Sequence, residues 1–254
     1  MKKMITGLTF LATLLLISGC GDSSESSGNS SVSTNSQVAA LNLDDYAQPE
    51  LNSEQMYTLA YMWHEEKLAY EIYLELNRVH PAQQLEKIAT NSEIKHIALV
   101  EELVEWYDIN ITNLADYSIN YSQEELAAMP VGVYAIDAIQ SLYDTLYAKG
   151  IESPQDALEV GCMVEVTDIN DLDEDLRIAD DNQAIIDTFT ILRDGSYKHY
   201  WAFDKGLKNM GVNDGCCSLG ADFCHPEYPQ NEQGSQDHGH GNGNGNGQQR
   251  GRNH

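Results

Sequence analysis

Residues 53–78 read SEQMYTLAYMWHEEKLAYEIYLELNR, and this stretch decides the fold class. Its apolar side chains recur at spacings of three, four and seven residues, at Met56, Leu59, Trp63, Tyr70 and Tyr73. This period is typical of an amphipathic α-helix that buries one face. Asn52 or Ser53 is a suitable N-cap, because either side chain can accept a hydrogen bond from the first helical turn. We therefore predict helix A over 53–78.

A second helical pattern begins near Pro81, a residue that suits the first turn of a helix. Its apolar positions continue the helical period, so helix B is predicted over 82–107. The period is then lost over 108–132. A shorter helix is predicted over 133–149, where Gly150 ends it.

Two further helices complete the pattern. Ser153 and Pro154 combine a capping hydroxyl group with a first-turn proline, so helix C is predicted from 154 to about 168, or further. An acidic turn follows, and its composition does not match a calcium-binding EF-hand loop. Helix D is then predicted from Ile185 to Met210 and ends at Gly211.

The connections between these helices predict the topology of an all-α fold. Short links join helix A to helix B and helix C to helix D, whereas more than forty residues join helix B to helix C. Four amphipathic helices with one long crossover are typical of a ferritin-like four-helix bundle, here with an extra short helix in the crossover. A helical bundle of another topology is the alternative.

Each predicted helix carries side chains of metal-ligand type on its apolar stripe. They are Glu66 on helix A, Glu93 and His96 on helix B, Glu165 and Asp168 on helix C, and His199 on helix D. Burying uncompensated carboxylates costs on the order of several kcal/mol each, and no Lys or Arg falls on these stripes. Bundles that bind two metal ions use a Glu-x-x-His pair together with a carboxylate from a neighbouring helix. A metal site is therefore the simplest interpretation.

Each of these residues also has a plainer interpretation by itself. A lone Glu-x-x-His pair occurs by chance in many helices, and a lone histidine such as His199 is more often hydrogen-bonded in a core or at a surface. Glu65 exchanges roles with Glu66 if helix A rotates by one residue, and Asp168 can equally begin the acidic turn. The joint pattern on four helices is what favours a metal site.

Four segments carry a resemblance to a known family. They are HEEKLA at 64–69, SEIKH at 92–96, VGCMVEVTDI at 160–169 and GSYKH at 195–199. In this order they resemble an uncharacterised bacterial and archaeal family of the ferritin-like superfamily, known only as domain of unknown function 2202, over about residues 54–208. The resemblance implies the ferritin-like four-helix fold. By analogy within the superfamily, it also implies an iron or manganese pair bridged by carboxylates.

The resemblance also assigns ligands residue by residue. The positions that match the family's motifs are Glu66, Glu93, His96, Glu165 and His199. Helix D departs from the ferritin pattern, because Ser196 stands where ferritins and rubrerythrins have the glutamate of a second Glu-x-x-His pair. Asp168 is the candidate for the missing carboxylate. Without it, the site would hold one ion, hold two unequally, or be vestigial.

Residues 1–20 are predicted to be a lipoprotein signal peptide. A short apolar run follows Lys2 and Lys3, and small residues precede Cys20. The run is too short to span a bilayer comfortably. We therefore expect Cys20 to carry lipid, residues 21–50 to form a flexible Ser/Asn-rich tether, and the chain to be anchored in the cell envelope, facing the periplasm or the exterior. An ordinary signal peptide with an incidental cysteine is the alternative.

The predicted bundle spans 51–211, and a tail rich in Gly and Asn, with Cys and His residues, follows over 212–254. Disulfides are allowed in an envelope compartment. Cys224 can pair with Cys216 or Cys217, and Cys162 makes a second pair available. A soft-metal site of Cys and His residues is the alternative.

The net charge of the chain limits the classes of function that it can have. It has 40 acidic residues against 14 Lys and Arg, a formal net charge of −26, which excludes nucleic-acid binding through phosphate neutralisation and attracts cations. The leading hypothesis is an envelope-anchored protein that binds one or two iron or manganese ions, with oxidase or peroxidase chemistry and Tyr73, Tyr107 or Tyr200 near enough to pass electrons. The alternatives are a non-catalytic metal-binding lipoprotein and a partner-docking scaffold. The membrane and metal ions are the expected partners, a homodimer is left open, and no protein partner is identified.

Overall fold

The first long helix, α1, spans Ser53–Val79 and begins where the sequence predicts. The Asn52 side chain accepts hydrogen bonds from the backbone N–H groups of Glu54 and Gln55, and Gln55 accepts one from the Asn52 backbone. This reciprocal capping satisfies donors that the first turn of a helix cannot satisfy by itself. The start of α1 is therefore fixed by local hydrogen bonds.

The computed structural model describes residues 41–109, 111, 125–126 and 128–230, and all regular structure in these residues is helical. After α1 come α2 Gln83–Ile88, a π-helical turn Ala89–Glu93, α3 Ile94–Trp106, α4 Asp137–Gly150, α5 Pro154–Ile178 and α6 Gln183–Asn209, with 3₁₀ turns at Leu43–Asp45, Gly215–Leu219 and Ala221–Phe223. The predicted all-α class is confirmed. No helix in the described part of the chain has the length and apolar character needed to cross a membrane. Cys20 and the predicted signal peptide lie outside the described residues.

The predicted helix B is divided into α2, the π-helical turn and α3. Two side chains in this turn compete for backbone carbonyl groups of the preceding helix. Thr90 donates a hydrogen bond to the carbonyl oxygen of Glu86 at 2.7 Å, and Asn91 donates one to that of Lys87 at 3.0 Å. Such bonds offer the backbone an alternative to the regular α-helical ladder. Single π-helical turns inside α-helices often occur at functional sites, and this one ends at Glu93.

Helix α5 is longer than the minimum that the sequence predicts. It is capped by Ser153 and has Pro154 in its first turn, as predicted, but it continues to Ile178. The acidic residues after Asp168 are therefore helical, and the predicted acidic turn is reduced to about 179–182. The physical reason is that Leu172 is fully buried and extends the apolar face of the helix beyond these acids.

The helices surround a core that is divided into two apolar clusters. Helix α5 packs extensively against α6, α1 packs against α3 and α5, α3 packs against α6, and α4 covers α1 and α5. One cluster gathers side chains such as Leu59, Trp63 and Phe189, and the other gathers side chains such as Leu76 and Phe203. Along α1 and α6, the first cluster ends before residue 66 and residue 196, and the second begins after them. A buried polar layer therefore separates the two clusters.

Both chain segments that flank the helices pack against them. Leu43, within the predicted tether, joins the first apolar cluster, and the Tyr46 hydroxyl donates a hydrogen bond to Asp187 at 2.8 Å. After α6, the Tyr200 hydroxyl donates to the carbonyl oxygen of Phe223 at 3.0 Å. The last ten residues of the predicted tether and the described part of the predicted tail are thus ordered by contacts with the helices.

Two disulfides fasten the segment after α6. Cys162 of α5 is joined to Cys216, 54 residues away, and Cys217 is joined to Cys224, 7 residues away. All four cysteines are therefore oxidised, which leaves no thiolate for the soft-metal alternative. Because Cys162 lies in the core, the first disulfide ties this segment directly to the helices.

The two disulfides are expected to differ in their contribution to stability. Loop-closure entropy grows with loop length, so replacing Cys162 and Cys216 together with alanine should lower the free energy of unfolding by about 4 kcal/mol, against about 2 kcal/mol for Cys217 and Cys224. Chemical denaturation of the two double variants measures both values. An equal loss in the two variants would contradict this ranking.

Candidate metal centre

The polar layer between the apolar clusters contains five of the six residues predicted to bind metal. Their side chains come from α1, the π-helical turn, α3, α5 and α6, and each is at most 7% exposed; they are Glu66, Glu93, His96, Glu165 and His199. Four separate stretches of chain thus place ligand-type atoms at one level of the core. We call these five residues the metal centre.

The first half of the metal centre consists of Glu66, Glu93 and His96. The His96 Nδ1 atom lies 3.2 Å from Glu66 Oε2 and 3.0 Å from Glu93 Oε2. One ligand atom from each of the three residues lies within 4.8 Å of the other two. Glu93 and His96 are three residues apart, so the turn of one helix brings them to the same side.

The second half consists of Glu93, Glu165 and His199. The His199 Nδ1 atom lies 2.9 Å from Glu93 Oε1 and 3.4 Å from Glu165 Oε2. Glu93 is therefore common to both halves, with one carboxylate oxygen near each histidine. This is the arrangement of a carboxylate that can bridge two neighbouring ions. The two imidazole rings lie 5.5 Å apart between centroids.

Two neighbouring hydroxyl groups hold this half in place. The Tyr73 hydroxyl donates a hydrogen bond to Glu165 Oε1 at 2.5 Å, and Ser92 Oγ lies 2.7 Å from His199 Nε2. When Ser92 accepts the hydrogen bond from Nε2–H, the lone pair of the imidazole is on Nδ1, the atom that faces Glu93 and Glu165. Such outer contacts fix the orientation of a metal-binding histidine.

Several buried atoms of the centre have no hydrogen-bond partner among the described residues. They are Glu66 Oε1, Glu93 Oε1, His96 Nε2 and His199 Nδ1. Glu93 Oε1 and His199 Nδ1 lie close together without forming a hydrogen bond. Buried polar atoms are nearly always paired, because an unpaired one loses its hydration without compensation. A cation bound beside Glu66 Oε1, Glu93 Oε1 and His199 Nδ1 would supply the missing interaction for these three atoms, whereas His96 faces the glutamates with its Nδ1 atom.

The electrostatics of the centre reflect three acids buried beside two histidines. Burial raises the pKa of Glu66 well above its usual value, although His96 opposes the shift, and burial likewise raises the pKa of Glu165. Burial also acts to raise the pKa of Glu93, but His199 and His96 outweigh it and lower that pKa. Burial acts to lower the pKa of His199, but Glu93 and Glu165 outweigh it and raise that pKa to about 10. Without a metal, protons on the histidines and on the acids whose pKa is raised thus reduce the buried charge.

Glu71, a buried acid of α1, shows how the charge of a buried carboxylate is ordinarily compensated in this fold. Glu71 accepts a hydrogen bond from Lys67 Nζ at 2.5 Å and another from the Tyr134 hydroxyl at 2.7 Å. The ammonium group also lies over the Tyr134 ring, 4.6 Å from its centroid. In the metal centre, by contrast, no Lys or Arg of the described residues forms an ion pair with any of the three glutamates.

Asp168, the sixth predicted ligand, lies outside both halves of the centre. It accepts a hydrogen bond from Ser196 Oγ at 2.5 Å. Burial and the nearby Glu165 raise the pKa of Asp168 to about 7, although Ser196 opposes the shift. Ser196, three residues before His199 on α6, thus holds a carboxylate beside the centre and supplies none itself.

The structure also distinguishes the adjacent acids of α1. Glu66 points into the metal centre, whereas Glu65 faces Asp171 of α5. Burial and Asp171 raise the pKa of Glu65 well above its usual value, and the same two causes raise the pKa of Asp175 to about 7. Glu65 and Glu66 are therefore both buried, on neighbouring faces of α1.

Of the three tyrosines considered from the sequence, only Tyr73 contacts a residue of the centre. Tyr107 accepts a hydrogen bond from Asn182 at 2.8 Å, and Tyr200 is hydrogen-bonded to the segment after α6. Sequence reasoning did not identify Ser92 or Gly195 as parts of the site. Gly195 carried a signal, because a glycine in a helix interior costs about 1 kcal/mol and usually has a packing reason.

Comparisons with known proteins agree with the helical description. The profile of a family described as an uncharacterized protein domain, DUF2202, matches residues 55–220. Uncharacterized protein MJ0754 of Methanocaldococcus jannaschii is 34% identical over 163 residues, which cover 64% of this chain and 80% of that protein. The crystal structure of this hypothetical protein aligns with a TM-score of 0.55 at 33% identity and covers 65% of this chain and 85% of that chain. These descriptions name no activity.

Replacing Gly195 with alanine is expected to disturb the centre. A Cβ atom at position 195 would lie 2.6 Å from His96 Nε2, so the imidazole must shift from the position in which its Nδ1 atom faces Glu66 and Glu93. We expect metal affinity to fall at least tenfold, as isothermal titration with Mn²⁺ would measure. The control is Gly206→Ala on the same helix, where the nearest atom is the flexible end of Gln84. Equal affinities in the two variants would contradict this placement of His96.

The metal-free chain is expected to lose stability as the pH rises. Asp175 has a pKa of about 7 when folded and a value near 3.8 otherwise, so the folded state binds the extra proton between these values. The free energy of unfolding should therefore fall from pH 5 to pH 8. Asp175→Asn, which cannot ionise, should reduce this fall, whereas the neighbouring Glu174→Gln should not. Denaturation of chelator-treated protein at both pH values measures the effect, and identical slopes in both variants would refute it.

Proposed function

The chain belongs to the DUF2202 family, and we propose that it is an envelope-anchored, ferritin-like protein whose metal centre binds two ions of iron or manganese. One observation carries the proposal. The two carboxylate oxygens of Glu93 each lie near a different histidine, His96 and His199, and a further glutamate completes each group of three ligands.

The donor set suits these metals. Carboxylate and imidazole groups together are typical ligands of iron and manganese, whereas soft metals prefer the thiolates that the disulfides remove here. The unpaired atoms Glu66 Oε1 and Glu93 Oε1, and the Nδ1 atom of His199, fit a site that binds cations. Two positive ions would also offset the buried acids more fully than two protonated histidines do.

The helical arrangement supports the ferritin-like part of the proposal. Ligands come from α1, from the segment that spans the π-helical turn and α3, from α5 and from α6, and these stretches correspond to the four predicted helices in their order. The connection from α3 to α5 is long and contains α4, which covers α1 and α5 from outside. Dinuclear carboxylate sites are built in the core of such bundles from facing helices.

The residues around the centre support redox chemistry as the function of a bound metal pair. A bound pair of iron or manganese ions would supply electron exchange with dioxygen or peroxide, that is, an oxidase or peroxidase activity. Burial and the nearby Glu165 raise the pKa of Tyr73 well above its usual value, so its hydroxyl keeps a proton beside the Glu165 carboxylate. Ser92 orients His199, and the two apolar clusters keep bulk water from the ligands.

Anchoring through a lipid on Cys20 is part of the same proposal. It is supported by the charged start, the short apolar run and the small residues that precede this cysteine. The disulfides of the described domain agree with a location outside the reducing cytoplasm. Residues 21–40 would then connect the lipid to the helices.

Metal content is the direct test of the centre. We expect the full chain, purified without a histidine tag and reconstituted with Mn²⁺ or anaerobic Fe²⁺, to retain two equivalents of metal by mass spectrometry. His96→Ala should retain at most one, because Glu66 and Glu93 lose their shared nitrogen ligand. His80→Ala is the control, since His80 only contacts the carbonyl oxygen of Ile151 outside the centre.

The outcomes separate the parts of the proposal. Reconstituted wild-type protein without bound metal would refute the metal centre, and one equivalent would refute its dinuclear form. Two equivalents without any metal-dependent consumption of dioxygen or peroxide would leave metal binding as the function and refute the redox activity.

A further inference from the structure

A second group of acids lies beside the metal centre, between α1 and α5. Its members are Glu65 on α1 and Asp168, Asp171 and Asp175 on α5, and we call them the acidic row. The three aspartates are spaced by three and four residues, so they share one side of α5. At 1.5 Å per residue they extend over about 10 Å along the helix axis.

Glu65 is the member of the row whose surroundings indicate that a cation binds there. Its side chain is 8% exposed, and no N–H or O–H group of the described residues donates a hydrogen bond to its Oε2 atom. Its carboxyl group contacts that of Asp171, and besides burial the acids Asp171, Asp168 and Asp175 raise its pKa, so the group holds a proton where no other cation is bound. None of the four acids forms an ion pair with a Lys or Arg of the described part of the chain. A mobile cation is the species that this arrangement would stabilise.

The inner end of the row adjoins the metal centre. Glu65 and Asp168 line one side of a small cavity of about 20 Å³, whose other side consists of apolar residues of α1, α4 and α5 such as Leu146. Asp168 also interacts electrostatically with Glu165 and Glu93 of the centre. Asp168 is thus near both Glu65 and the ligands, and the cavity beside it is about the size of one water molecule.

The outer end of the row reaches solvent. Asp171 and Asp175 are both partly exposed, as is Tyr61 of α1, which lies near them and near Glu65. The row therefore consists of three partly exposed aspartates and the buried Glu65, and it reaches the edge of the centre at Asp168. In the described residues, groups of three ligand atoms close enough to hold an ion occur only in the metal centre. The row is thus arranged to attract and pass a cation, not to retain it.

We propose that the acidic row is the path by which divalent cations move from solvent to the metal centre. The proposal rests on the metal centre proposed above. Where they are ionised, carboxylates along a narrow path raise the local concentration of cations and their rate of association by factors of ten or more. Because the row contributes to the rate and not to the final ligand set, its loss should slow metal uptake without changing the amount bound.

Stopped-flow mixing of the metal-free full chain with Co²⁺ at pH 8, where Asp168 and Asp175 with pKa values of about 7 are mostly ionised, tests this path through the visible absorption of the bound ion. Asp171→Asn combined with Asp175→Asn should lower the second-order rate of uptake about tenfold and leave the final Co²⁺ content unchanged. The matched control compares Asp175→Asn with Glu174→Gln. These adjacent positions lose the same charge, but Glu174 is exposed and paired with Arg177, so its replacement should change the rate less than twofold.

The results distinguish failure of the path from failure of the metal centre. Uptake by the double variant at the rate of Glu174→Gln would overturn the path while leaving the centre intact. A wild-type chain that binds no Co²⁺ would overturn both. Glu65→Gln, which keeps the shape of the buried side chain, should bind the full amount of Co²⁺ slowly. A reduced final amount in a folded Glu65→Gln variant would make Glu65 a ligand and would also overturn the path.

Discussion

Glu66, Glu93 and Glu165 are buried in a core where no Lys or Arg of the described residues pairs with them, and this is the main electrostatic constraint on the fold. A lone buried carboxylate is unstable, and three together repel one another. Glu93 relieves part of this repulsion, because each of its oxygens faces a histidine. Its position at the junction of the π-helical turn and α3 thus decides whether the two halves of the centre can share a ligand.

The division of the core into two apolar clusters follows from this constraint. Apolar side chains stabilise the helices on both sides of the polar layer, so the layer itself need not contribute to folding. The metal-free protein can then fold even though several buried ligand atoms have no hydrogen-bond partner among the described residues. The Cys162–Cys216 disulfide adds a covalent tie only one turn from Glu165 on α5, which restrains the helix that supplies this ligand.

Much of this arrangement can be predicted from the periodicity of the sequence. The other features depend on contacts between residues that are distant in the sequence or on local hydrogen bonds, which periodicity does not predict. The helices and the level shared by the predicted ligands follow from spacing, and the residue types predict caps at Asn52 or Ser53 and at Ser153, of which the structure selects Asn52 for α1. The π-helical turn does not, because it arises from Thr90 and Asn91 competing for carbonyl groups. The choice between possible disulfides, and the exclusion of Asp168 from the ligand groups, depend on three-dimensional packing that one sequence does not specify.

The two adjacent acids of α1 show why the site and its surroundings have to be considered together. Successive residues of a helix point about 100° apart, so a helix that directs Glu66 into the core must direct Glu65 toward a neighbouring helix. In this chain that neighbour is α5, and α5 presents Asp168 and Asp171 there instead of a basic residue. A purely structural interface would gain stability from a lysine at either aspartate. The presence of acids on both helices at one buried contact therefore favours a role in handling cations over a role in packing.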